Sequence, residues 1–115
     1  MHEVSIAANL IEIVSEQCRK GGYLRIESIN LKLGRASGIM PDALLFAFDA
    51  MKTDSPARDA VLMVEEVPVS GRCGGCGGTF TVQEEYVLHC PLCGGGSFQI
   101  VGGRELDIVD MEVSE

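Results

Sequence analysis

The sequence contains no tryptophan, only two tyrosines and four phenylalanines, and only nine basic residues against seventeen acidic ones in 115. The resulting charge of −8 repels phosphate backbones and anionic lipid surfaces, which argues against nucleic acid as a partner. No apolar run approaches the roughly 18 residues needed to cross a bilayer, so no transmembrane helix is expected and no membrane partner with it. No secretory signal is expected either. His2 and Glu3 stand where its basic region belongs, and Asn9, Glu12 and Glu16 interrupt what would be its apolar core. The expected location is the cytoplasm. At 46% hydrophobic and 23% charged residues the chain reads as folded, and its length suits one small domain with a smaller one attached.

What the sequence has instead is glycine and cysteine, 14 and 5 of them, unevenly placed. Ten of the glycines and four of the cysteines fall between Gly71 and Gly103. The apolar residues of that window, Phe80, Val82, Val87, Leu88, Phe98, Ile100 and Val101, are too few to fold a thirty-odd-residue unit without a staple. The cysteines supply one. Cys73-Gly-Gly-Cys76-Gly and Cys90-Pro-Leu-Cys93-Gly form two CxxCG knuckles separated by thirteen residues. Two intervening residues let both sulfurs of a knuckle face one ion, and the glycine that follows lets the backbone turn its N–H groups toward the thiolates. Four thiolates suit tetrahedral Zn²⁺ in a closed, structural site. A single iron, as in rubredoxin, takes the same ligands, and spacing alone does not separate the two metals.

Other readings of the cysteines are weaker. A thioredoxin-like redox pair needs a CxxC beside a βαβ unit, and none is legible. A nucleic-acid-binding ribbon needs a basic or aromatic face, whereas the charged residues of the window are Arg72, Glu84 and Glu85. His89, just before Cys90, reads as a surface strand residue rather than a ligand. Cys18 lies on an apolar helical stripe and reads as a buried, inert side chain.

Outside the window, Val4 to Lys20 reads as a helix whose apolar face is Val4, Ala7, Ile11, Val14 and Cys18, widened by Ile6, Leu10 and Ile13, and stopped by Gly21-Gly22. Leu24 to Leu33 alternates as a strand. A second helix starts at Pro41 and runs to about Lys52, with Leu44, Leu45, Phe48 and Met51 on one face. Ala60 to Val69 and Glu105 to Val113 complete the strands. The last strand must return to pair with Leu24–Leu33 or Ala60–Val69. The expected fold is α+β, a three-stranded sheet covered by two helices, spanning 1–70 and 103–115, with the metal-held unit 71–102 inserted between strands.

The amino terminus offers a second set of donors. The Met1 amine, the His2 amide and the His2 imidazole lie in one chelating segment, and Ni²⁺ or Cu²⁺ can displace amide protons and take square-planar nitrogen donors. Glu3 could add an amide or a carboxylate. Read blandly, His2 is an exposed terminal residue and Glu3 an acid in the first helical turn.

Taken together, Met1-His2-Glu3-Val4-Ser5-Ile6-Ala7, the segment LKLGRASGIMPDALLFAFD from Leu31 to Asp49, and the CGGCG and CPLCG knuckles resemble the HypA/HybF family of hydrogenase nickel-insertion proteins, over essentially the whole chain. The resemblance implies a nickel metallochaperone and not an enzyme. It implies Ni(II) as cargo on Met1, His2 and Glu3, structural Zn(II) on Cys73, Cys76, Cys90 and Cys93, a hydrogenase-maturation GTPase as partner, and the NiFe-hydrogenase large subunit as recipient. Some relatives carry histidines after their knuckles where this chain has glycine, so ribbon histidines are not carried over. The competing expectation is a non-catalytic zinc-ribbon adaptor with no nickel function.

Overall fold

A computed structural model describes residues 2–115, except the side chain of His2. The elements run α1 (His2–Lys20), β1 (Arg25–Gly34), α2 (Pro41–Met51), β2 (Val61–Val67), β3 (Val69–Cys73), β4 (Thr79–Val82), β5 (Phe98–Gly102) and β6 (Leu106–Ser114). They form two three-stranded sheets, in the orders β2-β1-β6 and β4-β3-β5. The architecture is α+β, and the last strand returns to the side of β1. By its internal contacts the chain divides into one unit of Met1–Leu31, Ile39–Glu65 and Asp107–Glu115, and another of Lys32–Gly38 and Glu66–Leu106.

In the first unit, α1 buries Ala7, Leu10, Ile11, Val14 and Cys18, the three- and four-residue spacing of one helical face. That face packs with Leu44, Ala47 and Phe48 of α2 and with Ile26, Ile29, Leu31 and Leu62 of the sheet. The buried stripe is narrower than the apolar pattern suggests. Val4 and Ile13, expected inside, are exposed, as is Met51 at the end of α2. Cys18 is fully buried and directs its Sγ to the Tyr23 carbonyl at 3.4 Å. A paired C-cap closes α1, in which Tyr23 N–H donates to Cys18 O (3.0 Å) and Gly22 N–H to Arg19 O (3.0 Å). At the far end of α2, Lys52 Nζ donates to the Ala60 carbonyl at 2.7 Å and reaches Asp49 at 3.0 Å, which fastens the helix to the residue before β2.

The expected strand Ala60–Val69 is two strands in different sheets. Pro68 separates β2 from β3, and a residue with no N–H cannot carry a hydrogen-bonded ladder through that point. In the second unit β3 pairs antiparallel with β4, with Gly71 opposite Phe80, and with β5, with Gly71 opposite Ile100. The Phe80 ring lies flat over Gly71, where an added Cβ would come within 2.5 Å of it. Phe80 in turn meets Phe98 edge to face, with centroids 6.0 Å apart.

Candidate metal centre

The end of β3, the turn that follows it and the loop before β5 bring Cys73, Cys76, Cys90 and Cys93 together. Their four sulfurs all lie within 4.8 Å of one another, with Cys73 and Cys93 at 3.6 Å and Cys76 and Cys90 at 3.9 Å. Ligands about 2.3 Å from a tetrahedral zinc stand roughly 3.8 Å apart, close to the two shorter separations here, so this donor set suits that ion. The cluster is that of a zinc ribbon.

The two knuckles share three hydrogen bonds at matching positions, and the first adds one from Cys76 N–H to Cys73 Sγ at 3.4 Å. In the first, Cys73 N–H donates to Gly78 O (2.9 Å), Gly77 N–H to Cys73 O (3.0 Å) and Gly75 N–H to Cys73 Sγ (3.3 Å). In the second, Cys90 N–H donates to Gly95 O (2.8 Å), Gly94 N–H to Cys90 O (2.8 Å) and Leu92 N–H to Cys90 Sγ (3.4 Å). Gly77 and Gly94 hold φ of 73° and 77°, a left-handed turn that a Cβ disfavours. This is the physical content of the glycine after each CxxC. The first cysteine of each knuckle is buried and the second exposed.

Backbone donors and neighbouring sulfurs set the acidity of the thiols. The N–H groups of Cys76 and Gly75 lower the Cys73 thiol to about 6, since hydrogen bonds to a thiolate favour it. Cys93 also receives help from the Gly95 N–H, but the sulfurs of Cys73 and Cys90, and burial, raise it to about 11. Without a cation, then, one thiol ionises early and another very late. A divalent ion would remove the conflict by binding all four thiolates and offsetting half of their charge, and such an ion would supply structure here, not reaction chemistry.

His89 is exposed, in an irregular segment after β4 rather than in a strand, and outside the sulfur cluster. Of the amino-terminal donors, Met1 and the His2 side chain lie outside the described residues. Glu3 is described. Its Oε2 accepts the Met40 N–H at 3.1 Å, immediately before Pro41 opens α2, a helix with no side-chain cap of its own. That contact was not legible in the sequence, because the partner of Glu3 is a backbone N–H that any residue other than proline could supply. The same holds for the Ser97 carbonyl, which accepts the Gly74 N–H at 2.7 Å and ties the first knuckle to the start of β5.

Residues 1–113 match the family model described as hydrogenase/urease nickel incorporation, metallochaperone, hypA. The chain belongs to the HypA family. It is 41% identical to a hydrogenase maturation factor HypA of Chlorobium luteolum over 115 residues, covering 100% of this chain and 97% of the relative. A second such factor, from Roseiflexus sp., is 36% identical over 115 residues, covering 100% and 94%. The fold matches the solution structure of the Ni metallochaperone HypA from Helicobacter pylori with a TM-score of 0.69 at 23% identity, covering 97% of each chain. HypA is thus a nickel-incorporation metallochaperone family, with partners in hydrogenase maturation, and among the described residues no helix is long and apolar enough to cross a membrane.

Proposed function

We propose that this chain carries Ni(II) as cargo on Met1, His2 and Glu3 and delivers it to the NiFe-hydrogenase large subunit together with a hydrogenase-maturation GTPase. It works in the cytoplasm and transfers an ion without converting a substrate. The α/β domain, 1–70 and 103–115, carries the cargo site, and the ribbon, 71–102, holds structural Zn(II) on Cys73, Cys76, Cys90 and Cys93. The observation that carries this reading is the family match along nearly the entire chain, which includes the Met-His-Glu opening.

The physical chemistry supports a reversible nickel site. The helix begins at His2, and the positive end of its dipole disfavours a cation there. Deprotonated amides of residues 2 and 3 offset that field and suit square-planar nickel, while their need to lose protons makes release sensitive to protonation. The carboxylate of Glu3 is engaged by Met40 N–H, so Glu3 serves nickel through its amide nitrogen. Transfer then proceeds by ligand exchange, the donor atoms of the recipient replacing imidazole and amide one at a time.

Titration with Ni²⁺, followed by native mass spectrometry, tests the assignment. The wild-type chain binds one nickel beside one zinc. His2→Ala, or a short extension ahead of Met1 that removes the free amine, loses the nickel and keeps the zinc. Unchanged nickel stoichiometry and affinity in both variants would remove the amino terminus from the site. A wild-type chain that holds zinc and takes up no nickel would be an adaptor.

A further inference from the structure

The four clustered sulfurs are not equivalent. Cys73 and Cys90 are buried, while Cys76 and Cys93 are exposed. Each outer sulfur also meets the inner sulfur of the other knuckle, Cys93 with Cys73 at 3.6 Å and Cys76 with Cys90 at 3.9 Å. A disulfide places its sulfurs about 2.0 Å apart, so either contact closes with a shift of less than about 2 Å. The fifth cysteine, Cys18, is fully buried in the other unit, with its Sγ directed to the Tyr23 carbonyl.

The sulfurs tie the knuckles to each other and do not shape the turns. The bonds Cys73 N–H to Gly78 O and Gly77 N–H to Cys73 O, and their counterparts at Cys90, run between main-chain atoms. Phe80 meets Phe98 without help from sulfur. The buried residues of this cluster are Cys73, Phe80 and Cys90, too small a core to dispense with a tie. Bridges inside each knuckle would close short loops and leave the two halves unjoined. Bridges between the knuckles would keep them joined.

We propose that the ribbon is a reversible thiol switch for hydroperoxides, in which the disulfides Cys73–Cys93 and Cys76–Cys90 replace zinc as the tie between the knuckles. Coordinated sulfurs are thiolates, the form that peroxide oxidises. An exposed thiolate attacks a peroxide oxygen, the O–O bond breaks, hydroxide leaves and the sulfur becomes a sulfenic acid. The inner thiolate beside it attacks that sulfur, a second hydroxide leaves and the S–S bond forms. Each bridge gives two electrons to one peroxide. Two bridges therefore consume two peroxides, release four hydroxides and leave no thiolate to hold the ion. A dithiol reductant returns the electrons by exchange, becoming a disulfide itself, and resets the site. The proposal rests on the zinc reading of these four cysteines and is independent of nickel at the amino terminus.

The test uses the reduced, zinc-loaded full chain, labelled with nitrogen-15 and treated with hydrogen peroxide. The expected result is release of the zinc to a chelating dye, loss of every free thiol except Cys18, and amide signals of Glu66–Leu106 that stay dispersed. Removal of zinc from the reduced chain by a chelator is expected to collapse those signals. Cleavage after Glu84 and Glu85 separates the knuckles in sequence, so crossing bridges leave two peptides joined until they are reduced, and fragmentation of the joined pair reads the partners. Dithiothreitol followed by zinc is expected to restore the original spectrum. Peptides that part without reduction, or crossing bridges with other partners, would overturn the proposal. So would collapsed ribbon signals in the oxidised chain, sulfinic acid in place of disulfide, bridges between chains, or oxidation of Cys18. A reduced chain that holds no zinc before peroxide is added would remove the zinc reading itself, and the switch with it.

Discussion

Two residues show how much a single position can carry. Gly71 is glycine because the Phe80 ring occupies the space above it. Gly71→Ala drives a methyl into a nearly closed aromatic contact, and overpacking of this kind costs about 1–3 kcal/mol; thermal unfolding of the zinc-loaded variant is expected to show it as a lower midpoint at unchanged zinc stoichiometry. Glu3 acts differently. Its carboxylate holds the residue ahead of α2, and it stands in the first turn of α1, where negative charge is favoured. Glu3→Gln keeps the shape and drops the charge, which is expected to lower stability by about 1 kcal/mol. Nickel affinity, measured by titration, changes by only a few-fold if the amide and not the carboxylate is the donor, in contrast with the loss expected for His2→Ala. In the sequence Glu3 reads equally well as a dipole-favoured acid and as a ligand. Its link to Met40, 37 positions away, needed the folded chain.

Among the elements, both helices, the strand β1 and the return of β6 were readable from spacing, since a one-sided core imposes its period on the residues that face it. The strands of the smaller sheet were not. β3, β4 and β5 are four or five residues long, too short for a clear alternation, and glycines such as Gly71 and Gly102 replace the side chains that would display one. The break at Pro68 was present in the sequence as a proline, yet the β-rich composition on both sides concealed it. The knuckles were the opposite case, because each cysteine and each following glycine has a fixed geometric duty. Their matching construction gives a paired expectation. Gly77→Ala and Gly94→Ala each force a Cβ into left-handed backbone at about 1–2 kcal/mol, and if that strain is relieved on metal release, each lowers zinc affinity about 5- to 30-fold. Competition against a chelating dye measures both, and a large asymmetry between them would show that the two knuckles do not share the load.

For the whole molecule, metal and protons compete. Binding zinc requires four thiolates, so every thiol still protonated in the free protein releases a proton, and affinity falls as pH falls. The Cys93 thiol, raised to about 11, contributes a proton throughout the neutral range, about tenfold in affinity per pH unit. The Cys73 thiol, lowered to about 6, is ionised at neutral pH in the absence of metal and adds its own tenfold per unit only below that value. Zinc affinity plotted against pH is therefore expected to steepen on the acid side of about 6, and the folding of the second unit should follow it, because Cys73, Phe80 and Cys90 are the buried residues of its cluster. Circular dichroism and released zinc, recorded together during acidification, are expected to change in step.

The unequal exposure of the four sulfurs bears on time as well as on equilibrium. Cys73 and Cys90 are enclosed and receive backbone N–H bonds, while Cys76 and Cys93 face solvent. An incoming thiol or chelator would meet the outer pair first, so that exchange of a zinc ion held by these four residues would begin on one side, with the inner pair still bound. An ion so held would resist loss to solvent and yet be open to a competitor that arrives from the exposed side.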